Sequence, residues 1–525
     1  MSKPLLPEVV ARWSATAFLA LGACSPIPAG PGGPPPATEA SDQSAAAPAP
    51  FLEPALLGPG HREGRTVTVD LAARVARVAL GPEQQAEMLT YNGVYPGPTL
   101  DVQEGDRLVV HFKNGLSEPT SVHWHGLHVP ADQDDATETV GPGASRTYTF
   151  DIPSGSAGTY WYHPHLHGTV APQVAKGLFG ALRVRPSADP LPAAVGDSIV
   201  ILSDLRQDAS GRAMGPGEAE RANGFEGETV LVNGRPTPEL SLRPGETRRL
   251  RLVNAAASRY FRLAAQGQKL TLVATDGGYI ERPTPLDELL LSPGERAEVL
   301  VTAPATGVVA LQALPYDRGT TTATAPAAGG AHGAASHRRI LQASHGLPDE
   351  TATSPAPTAS ASMHGEMMSE NARSLLTIRA EGTPVPDATL PQTLRSVPRL
   401  ATGGAVARTI SFSENHASSD FFINGKRFDP ARIDIQAKLG ATEVWTIENT
   451  GHMDHPFHLH GYGFQVLDRN DVAEPYMAWK DTVNVKPQEK VRFAIKYDRF
   501  PGTRVFHCHI LDHEDLGMMG VFRVE

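Results

Sequence analysis

Near its C-terminus the chain reads His507-Cys508-His509-Ile510-Leu511-Asp512-His513-Glu514-Asp515-Leu516-Gly517-Met518-Met519. In a strand, successive side chains point to opposite faces. His507 and His509 then share one face and Cys508 takes the other. A metal held by Cys508 and a metal centre held by the two histidines would lie on opposite sides of one strand, joined by the covalent bonds of a single residue. That arrangement demands extended backbone between two ligand-bearing pockets. It restricts the fold more than any other stretch. A cysteine thiolate with histidine and a weak methionine partner is the ligand set of a type 1, or blue, copper site.

The chain has 525 residues and two cysteines, Cys24 and Cys508. Lys3 and Arg12 give a positively charged start, and an apolar run from Trp13 to Ala23 follows. That run is too short to span a bilayer and has the length of a signal-peptide core. Its end, Leu21-Gly22-Ala23-Cys24, resembles a bacterial lipobox, which implies cleavage before Cys24 and a lipid on its sulfur. An ordinary secretory signal is the alternative. Either way the expectation is an exported protein, periplasmic or at the cell surface, with a membrane anchor through Cys24. Residues 25–52 are rich in Pro, Ala, Gly and Ser and read as a tether. With Cys24 so used, no intrachain disulfide is possible in the body. Cys508 is then a ligand candidate rather than a small buried apolar residue. A net charge of -11 without a basic, aromatic-interleaved patch argues against nucleic acid.

Beyond the tether the chain reads as all-β. Val67–Val69, Arg107–Phe112, Ser145–Phe150, Arg248–Val253 and Glu443–Ile447 are short β-branched or apolar runs separated by Gly- and Pro-bearing turns. The pattern repeats. Gly105-Asp106, Gly245-Glu246 and Gly440-Ala441 each precede a strand that closes on an asparagine, at Asn114, Asn254 and Asn449. Leu231-Val232-Asn233-Gly234 is echoed by Phe422-Ile423-Asn424-Gly425. Copies spaced by roughly 140 and 195 residues fit three similar domains, not a short-period solenoid. The expected divisions are 53–187, 188–382 and 406–525, with a linker at 383–405. Residues 319–373, rich in Ala, Thr and Ser with scattered His and Met, read as an insertion in a hairpin of the second domain.

Five His-x-His pairs occur: His123/His125, His163/His165, His165/His167, His458/His460 and His507/His509. Random placement of the histidines predicts about 0.8 such pairs, so the spacing is designed to put two imidazoles on one face. His123-Trp124-His125-Gly126, His163-Pro164-His165-Leu166-His167-Gly168, His455-Pro456-Phe457-His458-Leu459-His460-Gly461 and His507 to Met518 resemble the four copper-binding signatures of the multicopper oxidases. The similarity covers the body from residue 55 onward and is greatest to the three-domain bacterial laccase and cuprous oxidase group.

The resemblance implies three consecutive cupredoxin-like Greek-key domains and four copper ions. It implies an oxidase that takes single electrons from a reductant and passes them through Cys508 to His507 and His509, where dioxygen is reduced to water. Carried over by residue, His455, Cys508 and His513 bind type 1 copper with Met518 axial, and Met519 as rival. His123 and His458 bind type 2 copper. His125, His165 and His509 hold one type 3 copper; His163, His460 and His507 hold the other. His167 is left as a structural residue. Glu514 and Asp134 match acidic positions that supply protons, with Asp132 and Asp135 as rivals of Asp134.

Two reductant classes stay open, phenolic or aromatic compounds and Cu(I). Met453 matches a position that binds substrate copper in cuprous oxidases, whereas the Met-rich insertion of that group is missing between Ser411 and Ile423. The 319–373 insertion is either a copper-collecting lid or a linker. A monomer is expected. A copper-tolerance protein, a copper-nitrite-reductase-like enzyme and a copper-free scaffold are the alternatives. The complete ligand inventory argues against the last two.

Overall fold

The computed structural model describes residues 48–57, 61–82, 84–319, 372–416 and 418–525. The expected signal, Cys24, most of the tether and nearly all of the 319–373 insertion lie outside the described residues. Among the described residues no helix is long and apolar enough to cross a membrane.

Six sheets form three pairs in chain order. The first pair joins strands between His61 and Asp151 in one sheet to Gly97–Gln103, Gly180–Arg185, Gly158–His163 and His123–His125 in the other. The second pair has sheets ordered Thr229–Val232, Gly196–Leu205, Thr247–Asn254, Arg296–Thr302, Leu270–Thr275, Gly278–Leu286 and Glu239–Leu242, Arg373–Ala380, Val308–Leu314, Phe261–Ala265, Leu289–Leu291. In the third pair, the sheet facing the site runs Ile435–Ala437, Met519–Val524, Gly502–Cys508, His455–Leu459, Thr482–Val485. Each pair encloses its own apolar core, centred on residues such as Phe112, Leu252 and Trp445. The fold is all-β and cupredoxin-like throughout.

The asparagine-ended repeat has one structural meaning in all three copies. Strands Arg107–Asn114, Thr247–Asn254 and Thr442–Asn449 each pair in parallel with an earlier strand. The first and third alternate exposed or half-buried with buried side chains, as period two requires. Each closing asparagine is buried and knots the next loop. Asn449 accepts from the Gly451 amide (2.9 Å) and donates to Met453 O (2.6 Å) and Val485 O (2.9 Å). Asn254 accepts from Ala256 N and donates to Arg259 O and Leu291 O, and Asn114 does the same with Leu116, Glu118 and Val140. The Asn-Gly phrase has a third copy, Asn92-Gly93. In all three, both residues take positive φ, as an Asn-Gly hairpin turn needs.

Two features differ from or extend the sequence reading. Residues 48–52 do not behave as tether: Phe51 N donates to Glu239 O (2.7 Å), and Leu52 O accepts from Asn233 Nδ2 (3.0 Å). Strands Val308–Leu314 and Arg373–Ala380 pair antiparallel, so the insertion springs from a hairpin of the middle pair. Removing the Asn449 plug takes the side-chain donor from two buried carbonyls and the acceptor from the half-buried Gly451 amide. Asn449→Ala is expected to cost about 3 kcal/mol, read as a lowered denaturant midpoint at unchanged slope.

Candidate metal centre

Strand Gly502–Cys508 sits between Met519–Val524 and His455–Leu459, with Phe457 opposite Cys508 and His458 opposite His507. Alternation then sends Cys508 into the core of the third sheet pair and His507 out of it. Past Cys508 the chain turns into the short helix Leu511–Asp515, which swings His513 back beside the thiol. Cys508 Sγ lies 3.4 Å from His455 Nδ1 and 3.8 Å from His513 Nδ1, and the two nitrogens are 3.3 Å apart. Met518 is fully buried in the same apolar cluster as Cys508, whereas Met519 packs with Ala136, Val505 and Val521. Burial pushes the Cys508 thiol well above its ordinary pKa, so its ionisation calls for a bound cation.

The other histidines meet between the first and third sheet pairs. Three groups converge, each with ligand atoms within 4.8 Å of one another: His123, His125 and His458; His125, His163 and His509; His165, His460 and His507. All are buried. In the last group the Nε2 atoms are 3.1, 3.2 and 3.2 Å apart. They leave a central point about 1.8 Å from each, close to a metal–imidazole bond of ~2.0 Å.

The opposite ring nitrogens fix the tautomers. His507 Nδ1 donates to Cys508 O (3.0 Å), His163 Nδ1 to Pro164 O (2.9 Å), His458 Nδ1 to Asp481 O (2.9 Å) and His513 Nε2 to Ala222 O (3.2 Å). Carbonyls only accept, so the inward-facing nitrogen of each ring carries a lone pair. Asp134 bridges two more rings, at 2.6 Å from His123 Nδ1 and 3.2 Å from His460 Nδ1. Glu414 Oε2 accepts from His455 Nε2 (3.1 Å). Inward-facing His123 Nε2, His458 Nε2 and His509 Nε2 have no hydrogen-bond partner among the described residues. Burial holds His123, His125, His165, His460, His507, His509 and His513 well below the usual histidine range and His163 at about 3. Neutral rings with facing lone pairs repel one another, and a cation removes that repulsion. The donor set, sulfur with imidazole at one site and imidazole alone at the others, suits copper.

The geometry revises the ligand split. His163 groups with His125 and His509, and His165 with His460 and His507, the reverse of the carried-over assignment for these two. Strand Gly158–His163 ends at His163, and Pro164 follows, so His165 does not keep the strand's alternation and turns toward the third sheet pair. Met453 is fully buried, which removes its thioether from any surface site. Asp132 and Asp135 are exposed, so of these three neighbours Asp134 is the one that reaches the histidine rings. Glu514 is buried, 3.2 Å from His507 Nδ1 and 3.5 Å from His165 Nε2. His167 rests its ring on Phe428, centroids 4.7 Å apart.

Sequence reasoning missed Glu414, Asp481, Thr482 and Arg296. Glu414 also accepts from His452 N (2.7 Å) and pairs with His452 Nδ1 (3.0 Å). Burial raises its carboxyl, but hydrogen bonding with His455 and His452 more than offsets this and holds it at about 2. No local spacing ties these residues to the histidine motifs.

Three multicopper-oxidase family profiles match residues 73–189, 197–330 and 401–525. The chain belongs to the multicopper oxidases. The "Multicopper oxidase mco" of Staphylococcus haemolyticus is 30% identical over 83% of each chain. The "Cell division protein FtsP" of Proteus mirabilis is 31% identical over 84% of this chain and 86% of its own. Among solved structures, "Multicopper oxidase from Campylobacter jejuni: a metallo-oxidase" superposes with a TM-score of 0.75 at 34% identity, covering 91% of this chain and 95% of that one. As a multicopper oxidase, the protein is a copper-dependent oxidoreductase that oxidises a reductant with dioxygen as acceptor.

In the copper-loaded enzyme, Asp134→Asn is expected to weaken copper retention at the His123 and His460 sites by about 10- to 100-fold. The blue colour, which depends on Cys508, should persist. Metal analysis after graded chelation beside visible absorbance checks both.

Proposed function

We propose that the chain holds four copper ions: one at His455, Cys508, His513 and Met518, one at His123 and His458, and two at His125/His163/His509 and His165/His460/His507. The convergence of these buried, lone-pair-bearing nitrogens supports the reading. When bound, the coppers supply one-electron storage and dioxygen-reducing chemistry. The chain supplies the rest. Cys508 is joined through the main chain to both His507 and His509, so the sulfur site and the histidine cluster share one continuous covalent path. Asp134 and the carbonyl acceptors orient the rings. Buried Glu514, between His165 and His507, is placed to hand protons to the dioxygen side.

The reductant we infer is a reduced transition-metal ion such as Cu(I). The observation that carries this is the Glu414 bridge. The carboxylate links His455 Nε2, on a sulfur-site ligand, to His452, whose side chain is 49% exposed. The His452 ring lies against His416, centroids 4.4 Å apart. The outward-facing imidazole of His452, backed by the buried Glu414 carboxylate, suits a transition metal, and the similar protein of Campylobacter jejuni is itself a "metallo-oxidase". The apolar run before Cys24 supports export, with a lipid on Cys24 as anchor, and the monomer is the expected working unit. The similarity to a cell-division protein raises a non-catalytic reading, which the complete ligand set disfavours.

Oxygen uptake by the copper-loaded chain with Cu(I), Mn(II) and a phenol separates these readings. His452→Ala is expected to lower kcat/KM for Cu(I) about 10-fold or more, with phenol rates within about twofold. Equal losses on both substrates would sink the metal-ion reading. A loaded protein without blue colour or oxygen uptake would sink the copper assignment.

A further inference from the structure

The middle sheet pair contributes none of the copper-ligand histidines, yet one of its side chains reaches them. Arg296 opens strand Arg296–Thr302 and its side chain is wholly buried. Its guanidinium touches all three sheet pairs. Nε donates to Thr159 O of the first pair (3.1 Å). Nη1 donates to Gly294 O (3.0 Å) and Nη2 to Asp276 O (3.2 Å) within the middle pair. Nη1 and Nη2 together grip Asp481 of the third pair, at 2.7 and 2.5 Å.

Asp481 passes the contact on to the cluster. Its Oδ1 accepts from His125 Nε2 (3.2 Å) and lies 3.6 Å from His458 Nδ1. Thr482 Oγ1 donates to the same Oδ1 (2.9 Å) and lies 3.2 Å from His125 Nε2 and 3.0 Å from His458 Nδ1. Asp276 holds this turn from the other side. It accepts from Arg296 N (2.8 Å), from the amides of Asp481 and Thr482 (3.4 Å each) and from Lys480 Nζ (3.0 Å). Gly126, the glycine of the first histidine motif, has φ +88°, and a Cβ there would run into Arg296 Nη2 and Asp481 Oδ2. The motif therefore ends in glycine where the guanidinium passes behind the histidine pair.

A buried charge network of this kind is a poor source of stability, because desolvation consumes most of the attraction. A planar fork on a carboxylate does fix orientation, and a lysine cannot reproduce it. We infer that Arg296 is a positioning residue for the histidine cluster. By locking the plane of Asp481 it keeps the proton of His125 on Nε2 and aims Nδ1 inward. By the same contact it holds the turn that carries the acceptors of His458. The ligand-free middle domain thereby sets the geometry of the site shared by the other two. This rests on the assignment of His125 and His458 to copper.

The test compares the copper-loaded wild type with Arg296→Lys and Asp481→Asn. Four readouts are taken: copper per chain, blue absorbance, the paramagnetic resonance signal of the type 2 copper, and the two half-reactions measured separately. The expected result for Arg296→Lys is unchanged blue colour and unchanged anaerobic bleaching by reductant. The type 2 signal should be altered and reoxidation by dioxygen slowed about 10-fold. Asp481→Asn should move the same readouts further, with copper lost from the cluster before the blue site. An unaltered type 2 signal and reoxidation rate in Arg296→Lys would overturn the inference. So would parallel loss of blue colour, both half-reactions and the unfolding midpoint in both variants, which marks a purely structural role. A wild type that binds copper at Cys508 but shows no type 2 signal would refute the underlying ligand assignment, and the role of Arg296 with it.

Discussion

Imidazoles that face one another with lone pairs, buried from solvent, repel. This chain brings eight of them together and, for most, uses hydrogen bonds behind the ring to fix the proton on its far side. Cys508 O, Pro164 O, Asp481 O and the Asp134 carboxylate each take an outward N–H. The inward faces are left free to take a metal ion. Much of the architecture follows from this constraint. His123, His125, His163 and His165 come from the first sheet pair and His458, His460, His507 and His509 from the third, so the site exists only where the two pairs meet.

The strand ending at Cys508 joins that shared cavity to the sulfur site because its alternation places neighbours on opposite faces. The same period-two rule that buries Phe506 and Cys508 in the third core turns His507 toward the first sheet pair. Carboxylates then differentiate the two ends. Glu414 leads from a sulfur-site ligand toward half-exposed His452, and Asp134 and Glu514 sit buried among the cluster ligands. Charge is thus used at the margins of each site, while the three cores are apolar.

What could be read from the sequence follows from how far along the chain each determinant acts. The strands closing on Asn114, Asn254 and Asn449 are local patterns, and two of the three hydrogen bonds of each asparagine go to residues two to five positions ahead. The converging histidines and Cys508 were legible for the same reason: His-x-His spacing and His507-Cys508-His509 are statements about one strand. The division of His163 and His165 was not, because it depends on where the strand ends at Pro164 and which partner sheet lies opposite.

The sequence by itself determined an all-β chain of three similar units, a lone body cysteine set between histidines, and the His-x-His pairs that the fold brings together. All of these rest on contacts between near neighbours. Tertiary structure decided which imidazoles group together, that Met453 is buried, and that Asp134 rather than Asp132 or Asp135 meets the rings. It also brought in Glu414, 41 residues from His455, Asp481, 356 residues from His125, and Arg296, 185 residues from Asp481. Such partners carry no spacing signature. Their meeting is set by the packing of one sheet pair on another, which only the folded chain defines.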